Sequence, residues 1–317
     1  REWLLTMIVD PMLKRLIAKA YLNGFGDLHL FSPEQMRLSL RPAKFNVQKA
    51  SYQDFITEGG ITLRCYSPSN TDSKQNLPGV IYISANAYVV NRLDTSNDYC
   101  SLLANELQMK VISVSHRLIP EFKFPKFVYD CLESIKWIYA HSEKLNLAHD
   151  KLSLWGESSG GNIATACTHL LRDEGLPLIK YLTLFYPMMD LITPFASKTQ
   201  FEYGFMLDKP FIEWLKINAF HHAQEYADPL ASPLFATSFN NLPPTTIITA
   251  ECDPLRDEGE AYVTKLQAAN IKVAAKRYDG MIHCFMRFYP KLSASKEALN
   301  FACTTLKDAL NAHEIAS

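Results

Sequence analysis

Trp155-Gly156-Glu157-Ser158-Ser159-Gly160-Gly161-Asn162 follows the apolar run Lys151-Leu-Ser-Leu-Trp155 and leads directly into the helical pattern of Asn162 to Leu171. A strand that reverses into a helix over so few residues leaves little room. Glycines two places either side of Ser158 let the chain segments pass closely. The turn holds the serine in a strained backbone conformation, with its hydroxyl above the sheet edge and near the positive end of the next helix. Gly-x-Ser-x-Gly in this strand-to-helix setting marks a nucleophile. The N–H of Ser159 points the same way and can hold a developing oxyanion. Ser159 is a rival nucleophile on paper, but it lacks the symmetric glycine flanks.

Outward from this turn the chain alternates strand and helix. Strands are predicted at Ile61–Tyr66, Gly79–Ile83, Lys110–Ser115, Tyr181–Tyr186, Thr245–Ala250 and Lys272–Arg277, besides the one before the turn. Helices are predicted at Asp98–Leu107, Phe127–His141, Gly259–Ala269 and Lys291–Ala312. This rhythm predicts an α/β fold with a mostly parallel sheet and helices on both faces. No strand is predicted from Pro187 to Pro244, only a helix near Pro210 to Phe220, and a break of that length reads as an inserted lid or cap. Residues 1 to about 25 read as a helix, with Leu4, Ile8, Met12, Leu16 and Ile17 at helical spacing; Pro33 and Pro42 break the mixed stretch from Phe31 to Lys49. The expected division is an N-terminal cap segment over 1–45, a core over 46–187 and 236–317, and an inserted cap segment over 188–235.

The 317 residues suffice for one α/β unit with a cap, and 48% hydrophobic against 21% charged residues is ordinary globular composition. With 32 basic and 33 acidic residues the net charge is −1, so nothing calls for nucleic acid or an anionic membrane as partner. Cys65, Cys100, Cys131, Cys167, Cys252, Cys284 and Cys303 form no CxxC pair, which argues against a zinc or redox motif and for reduced thiols in the cytoplasm. No secretory signal is read: the apolar stretch Trp3 to Val9 is short and Asp10, Lys14 and Arg15 come directly after it. No run reaches the length of a membrane span.

A serine hydroxyl needs a base to take its proton, and the base needs a carboxylate to fix its tautomer. On this fold class the chain order is serine, acid, histidine. Glu251-Cys-Asp253-Pro-Leu-Arg-Asp257-Glu258 comes after the predicted strand Thr245–Ala250. Asp253 is the candidate acid, because Pro254 keeps it out of helical geometry and in a turn. Glu251 and Asp257 are alternatives, Asp257 better placed to cap or charge the next helix. Only His283 and His313 lie beyond Asp253. His313 sits in a polar tail, whereas His283 in Asp279-Gly-Met-Ile-His-Cys-Phe285 comes after the last predicted strand and is the candidate base. His221-His222 has no carboxylate or cysteine at ligand spacing and reads as cap surface.

Over about Pro78 to Phe285 the sequence resembles the hormone-sensitive-lipase-like branch of the α/β-hydrolases. The resemblance lies in Gly156-Glu-Ser-Ser-Gly-Gly-Asn162, with Ser159 where alanine is usual, and in His116-Arg-Leu-Ile-Pro-Glu121 through Phe124-Pro125. Asp228-Pro-Leu-Ala-Ser-Pro233, Asp253-Pro-Leu-Arg-Asp-Glu-Gly259 and the His283 region are similar too. It implies an eight-stranded sheet, a two-part cap, no metal and no organic cofactor. One departure stands out. The family's His-Gly-Gly-Gly is replaced by Ser84-Ala85-Asn86-Ala87, followed by Tyr88. Backbone N–H groups survive that change, but a left-handed alanine costs about 1–2 kcal/mol.

The expected activity is therefore carboxylic ester hydrolysis through an acyl-enzyme, with Ser158, His283 and Asp253 as triad. The amides of Asn86, Ala87 and Ser159 would form the oxyanion hole, with the Asn86 side chain a further donor. Losing one such donor costs about 10²–10³ in rate, so a poor hole would make a slow esterase. The expected ligand is a small ester with an apolar acyl group. Tyr88, Phe205, Met206 and Leu207 are candidate contacts, the last three equally readable as cap interior. By analogy alone, the edge strand near Lys272–Arg277 could pair in a homodimer. The rival expectation is a catalytically weak relative that binds a ligand or acts as a scaffold. An amidase or peptidase could use the same triad.

Overall fold

The computed structural model describes residues 9–39, 44–72, 74–90 and 93–316. The expected helical positions Leu4 and Ile8, the breaker Pro42 and the side chain of His313 fall outside the described set.

Eight strands make one sheet: β1 (Ser51–Ile56), β2 (Thr62–Ser67), β3 (Leu77–Ile83), β4 (Lys110–Ser115), β5 (Leu147–Glu157), β6 (Ile179–Phe185), β7 (Thr245–Cys252) and β8 (Val273–Ile282). Their order is β1-β2-β4-β3-β5-β6-β7-β8. β2 pairs antiparallel with β1 and β4, and every pairing from β4 to β8 is parallel. β1 is absent from the sequence reading because it sits at the edge with five of six residues exposed, so its pattern carries no buried face. β8 runs to Ile282, five residues past the expected end, and delivers His283 directly at its terminus.

Strand alternation sorts the core into two apolar clusters. Ile81, Ile83, Leu152 and Leu154 belong to one, Val80, Tyr82 and Trp155 to the other. The first is covered by helices α4 (Lys126–Ala140), α5 (Ser159–Asp173) and α8 (Arg256–Ala268), through Val128, Ile135, Ile163 and Leu266. The second is covered by α3 (Asn97–Leu107) and α9 (Ser293–Ala316), through Leu103, Leu107, Ala302 and Leu306. These helices bury the side chains a parallel sheet must shield on both faces.

The remaining helices lie before β1 and between β6 and β7. α1 (Pro11–Leu22) starts on Asp10, whose carboxylate accepts from the N–H groups of Met12 and Leu13, with proline at its first position. α2 spans Pro33–Ser39, and the long insert carries α6 (Ala196–Gln200) and α7 (Lys209–Ala219). The Tyr21 hydroxyl ties α1 to the insert: it donates to Asp208 at 2.7 Å and accepts from Met206 N–H at 3.3 Å. Lys123 then binds the C-terminal carbonyls of α7, Ile217 O at 3.2 Å and Phe220 O at 2.8 Å. No helix among the described residues is long and apolar enough to cross a membrane.

The start of α5 passes very close to the end of β3. A Cβ on Gly160 would lie 2.2 Å from Ile83 O and 2.5 Å from Ser84 O, both backbone atoms. Gly160→Ala should therefore destabilise the protein by about 3 kcal/mol or more, read as a lowered denaturant midpoint. An unchanged midpoint would contradict this packing.

Candidate active site

β5 ends at Glu157 and α5 begins at Ser159, so Ser158 alone makes the turn, with φ 54° and ψ −119°. Backbone in that region costs an L-residue about 1–3 kcal/mol and persists only when its surroundings hold it. Here Ser158 N–H donates to Phe185 O at 3.0 Å, and its carbonyl accepts from Asn162 and Met188 N–H at 3.1 and 3.2 Å. The turn is thus anchored to β6 and to its own helix.

The Ser158 hydroxyl lies 2.8 Å from Nε2 of His283. On the other side of that ring, Nδ1 lies 2.7 Å from Oδ2 of Asp253. The second oxygen of Asp253 accepts from Leu255 N–H at 2.8 Å, which fixes the carboxylate in the turn after β7. All three residues are buried. Since a carboxylate only accepts, Nδ1 carries a proton and Nε2 is left to take one from Ser158. Burial is the largest influence on the imidazole and depresses its pKa. The Asp253 carboxylate, with Cys284 beside it, outweighs burial and sets the net shift well upward.

The alternatives are engaged elsewhere. Glu251 accepts from Gly280 N–H at 2.7 Å. Asp257 accepts from Ser197 N–H at 2.8 Å and pairs with Arg256 at 2.8 Å. His222 faces Glu225 at 4.0 Å, and no cluster of metal-ligating side chains occurs among the described residues.

The loop after β3 is the part of the site least legible in the sequence. Ala87 and Tyr88 both have positive φ, 49° and 58°. Side chains stabilise this shape without glycine. Asn86 Oδ1 accepts from Tyr88 N–H at 2.8 Å and from the Ser159 hydroxyl at 3.2 Å. Its Nδ2 lies 2.9 Å from Nε2 of His116, whose Nδ1 faces Arg117 O at 2.8 Å. Those partners assign the proton to Nδ1 and leave Nε2 as acceptor for Asn86. Burial lowers the His116 pKa, which keeps that acceptor free. The Asn86 side chain is therefore spent inside the loop, and the expectation that it donates to an oxyanion is not supported. Nor is the Asn86 N–H idle: it donates to the Ser159 hydroxyl at 3.3 Å. The N–H groups of Ala87 and Ser159 have no acceptor among the described residues. His116 carried no signal for this role, because 30 residues separate it from Asn86.

Ser158, Ser159, Asn86, Ala87 and His283 line a cavity of about 180 Å³. Met206 and Leu207 line it too. Tyr88 and Phe205 do not: this corrects the expectation of substrate contact for Tyr88 and gives Phe205 its cap-interior reading. Tyr88 stacks on Phe127 at 4.4 Å and donates to Asn162 at 3.0 Å, so its ring faces the core. Phe205 packs edge-on against Phe201 at 5.0 Å. Both are large rings that gain more from dry packing than from the cavity wall.

A family model for the alpha/beta hydrolase fold matches residues 80–287. An arylesterase of Saccharolobus solfataricus is 33% identical over 228 residues, covering 71% of this chain and 73% of the relative. Among solved structures, a hyperthermophilic esterase from Pyrobaculum calidifontis superposes with a TM-score of 0.86 at 31% identity, covering 95% of this chain and 99% of the other. A thermostable esterase from Pseudomonas putida gives 0.91 at 28% identity, covering 96% and 98%.

The loop geometry separates two substitutions. Asn86→Ala removes the bonds that hold the loop, and turnover of a p-nitrophenyl ester should fall by about 10²-fold. Ser159→Ala releases the Asn86 N–H and gives up the hydroxyl's bond to Asn86 Oδ1, but the bonds of Asn86 to Tyr88 N–H and His116 still hold the loop, and turnover should rise about fivefold, the worth of roughly 1 kcal/mol. A fall in the second variant, or no change in the first, would contradict this role for the loop.

Proposed function

The chain belongs to the α/β-hydrolase-fold family, and from that premise we propose that it hydrolyses carboxylic esters with Ser158 as nucleophile, His283 as base and Asp253 as its orienting acid. The observation that carries the reading is the unbroken hydrogen-bonded line from hydroxyl to imidazole to carboxylate, 2.8 and 2.7 Å, opening on a cavity.

In the proposed reaction Ser158 Oγ attacks the ester carbonyl carbon as its proton passes to Nε2 of His283. The carbonyl oxygen becomes an oxyanion, facing the N–H groups of Ala87 and Ser159, with the Asn86 N–H shared between it and the Ser159 hydroxyl. The tetrahedral carbon expels the alkoxide, which leaves as alcohol with the proton from His283. Water then attacks the acyl-serine, again giving its proton to Nε2, and the carboxylic acid departs as Ser158 recovers its hydrogen. Asp253 stays ionised and stabilises the imidazolium at each stage.

Leu28, Val90, Leu207, Phe211 and Leu215 give the cavity an apolar wall, which fits a small ester with an apolar acyl group. Leu28 precedes β1, and Leu207 to Leu215 belong to the insert. This supports the reading of residues 1–45 and 188–235 as a two-part cap on a core of 46–187 and 236–317.

The sign of the pH dependence is set by His283. Only neutral imidazole accepts the serine proton, so activity falls as pH drops through its pKa. The upward shift places that midpoint above 6.5. For the fold the sense is opposite: a raised histidine pKa contributes stability below 6.5 that is lost as pH rises through the folded value. In p-nitrophenyl butyrate hydrolysis, kcat/KM should rise along a limb centred above 6.5. Asp253→Asn should lower that midpoint and cut kcat by about 10⁴-fold. An unmoved limb, or full activity in the variant, would refute the assigned roles.

A further inference from the structure

Tyr186 is the residue after β6, and its ring meets the His283 imidazole edge-on, centroids 5.0 Å apart at 61°. Its hydroxyl donates to Oε2 of Glu157 at 3.0 Å. Glu157 is the last residue of β5, immediately before Ser158. A carboxyl–phenol pair thus spans the gap between the strand that carries the nucleophile and the ring that takes its proton. Relative exposures of 5% for Glu157, 1% for Tyr186 and 5% for His283 leave the bridge almost wholly enclosed, its three residues forming part of the wall of the cavity beside Ser158.

Two features show that this placement is enforced. Tyr186 has φ 36°, a conformation that bulky residues rarely adopt, and its N–H is tied to Ile248 O at 2.6 Å in β7. Phe185 and Phe285 pack edge-on around its ring at 6.0 and 5.8 Å, so it cannot swing away from the histidine. Glu157 belongs neither to the serine–histidine–aspartate line nor to the loop after β3. A buried carboxyl is expensive to keep, and this one turns Oε2 to the Tyr186 hydroxyl, with Tyr99 and Trp155 also beside it.

The mechanical need is specific. The covalent bond at Cγ and the hydrogen bonds at Nε2 and Nδ1 set the mean position of the His283 ring, yet the side chain can still rock about χ1 and χ2 within the width of those two hydrogen bonds. A third body against the ring removes that freedom. We propose that Tyr186, pinned by Glu157, is a positioning residue that sets the plane of His283 so that Nε2 faces the Ser158 hydroxyl. The proposal rests on His283 being the base.

The test compares four single variants and one double variant of the full chain, each checked for an unchanged thermal transition. They are read by kcat and KM on p-nitrophenyl butyrate and by the low-field proton resonance of His283 Nδ1–H. Tyr186→Leu removes the ring: kcat should fall about 10²-fold with KM within about twofold, and the resonance should broaden. Tyr186→Phe keeps the ring and loses the pin, and Glu157→Leu loses the same bond from its other end. Each should lower kcat about tenfold, and the double variant should do no worse than either. Glu157→Gln still offers an acceptor and should recover most of that loss. A Tyr186→Leu variant that keeps both kcat and the resonance overturns the proposal. So does a rise in KM alone, or losses that multiply in the double variant. If wild-type protein hydrolyses no ester but the resonance responds as stated, the brace stands and the hydrolase reading falls.

Discussion

A buried imidazole held at one nitrogen by a hydroxyl and at the other by a carboxylate constrains everything around it. The three groups are far apart in the chain: 125 residues separate Ser158 from His283, and 30 separate Asp253 from His283. They meet because β5, β7 and β8 run parallel and end at one edge of the sheet. A slip of one residue in any of these strands would turn its terminal side chain to the other face. The register shift between Ala250 and Cys252 in the β7–β8 pairing falls just before Asp253, where the chain must leave the sheet at the right height.

Holding that geometry strains the backbone at several points, and each strained residue has a visible restraint. Ser158 is bonded to β6 and to its own helix. Ala87 and Tyr88 lie in left-handed conformations without glycine, restrained by the His116–Asn86–Ser159 network. Tyr186 is held by β7 and three neighbouring rings. The network around Asn86 is fully paired, and in a dry interior that rigidifies the loop. Its consequence for chemistry is that one backbone donor near the serine already has a partner before any substrate arrives.

What the sequence disclosed was what local rules encode. Buried strands read as apolar runs, the strand–glycine–serine–helix turn has few alternatives, and the order serine, acid, histidine narrowed the choice of partners. β1 escaped because an edge strand exposed on both faces has no hydrophobic period. Tyr88 turns to the core against expectation, and Phe205 takes the cap-interior alternative, because an aromatic ring in a sequence carries no signal for which side of a wall it faces. Met206 and Leu207, adjacent to Phe205, do reach the cavity. The contacts of Asn86 with His116, and of Tyr186 with Glu157 and His283, join residues from separate strands and loops. Only the packed sheet brings them together, and no spacing in the chain announces them.

The central claim is that the hydroxyl of residue 158, and not that of its neighbour, is activated by the imidazole. The most direct measurement is peptide mapping by mass spectrometry after treatment with a fluorophosphonate. The account predicts one phosphonyl group per chain, carried by Ser158, and no labelling once His283 is replaced by alanine. A phosphonyl group on Ser159, or labelling that persists without the imidazole, would contradict it.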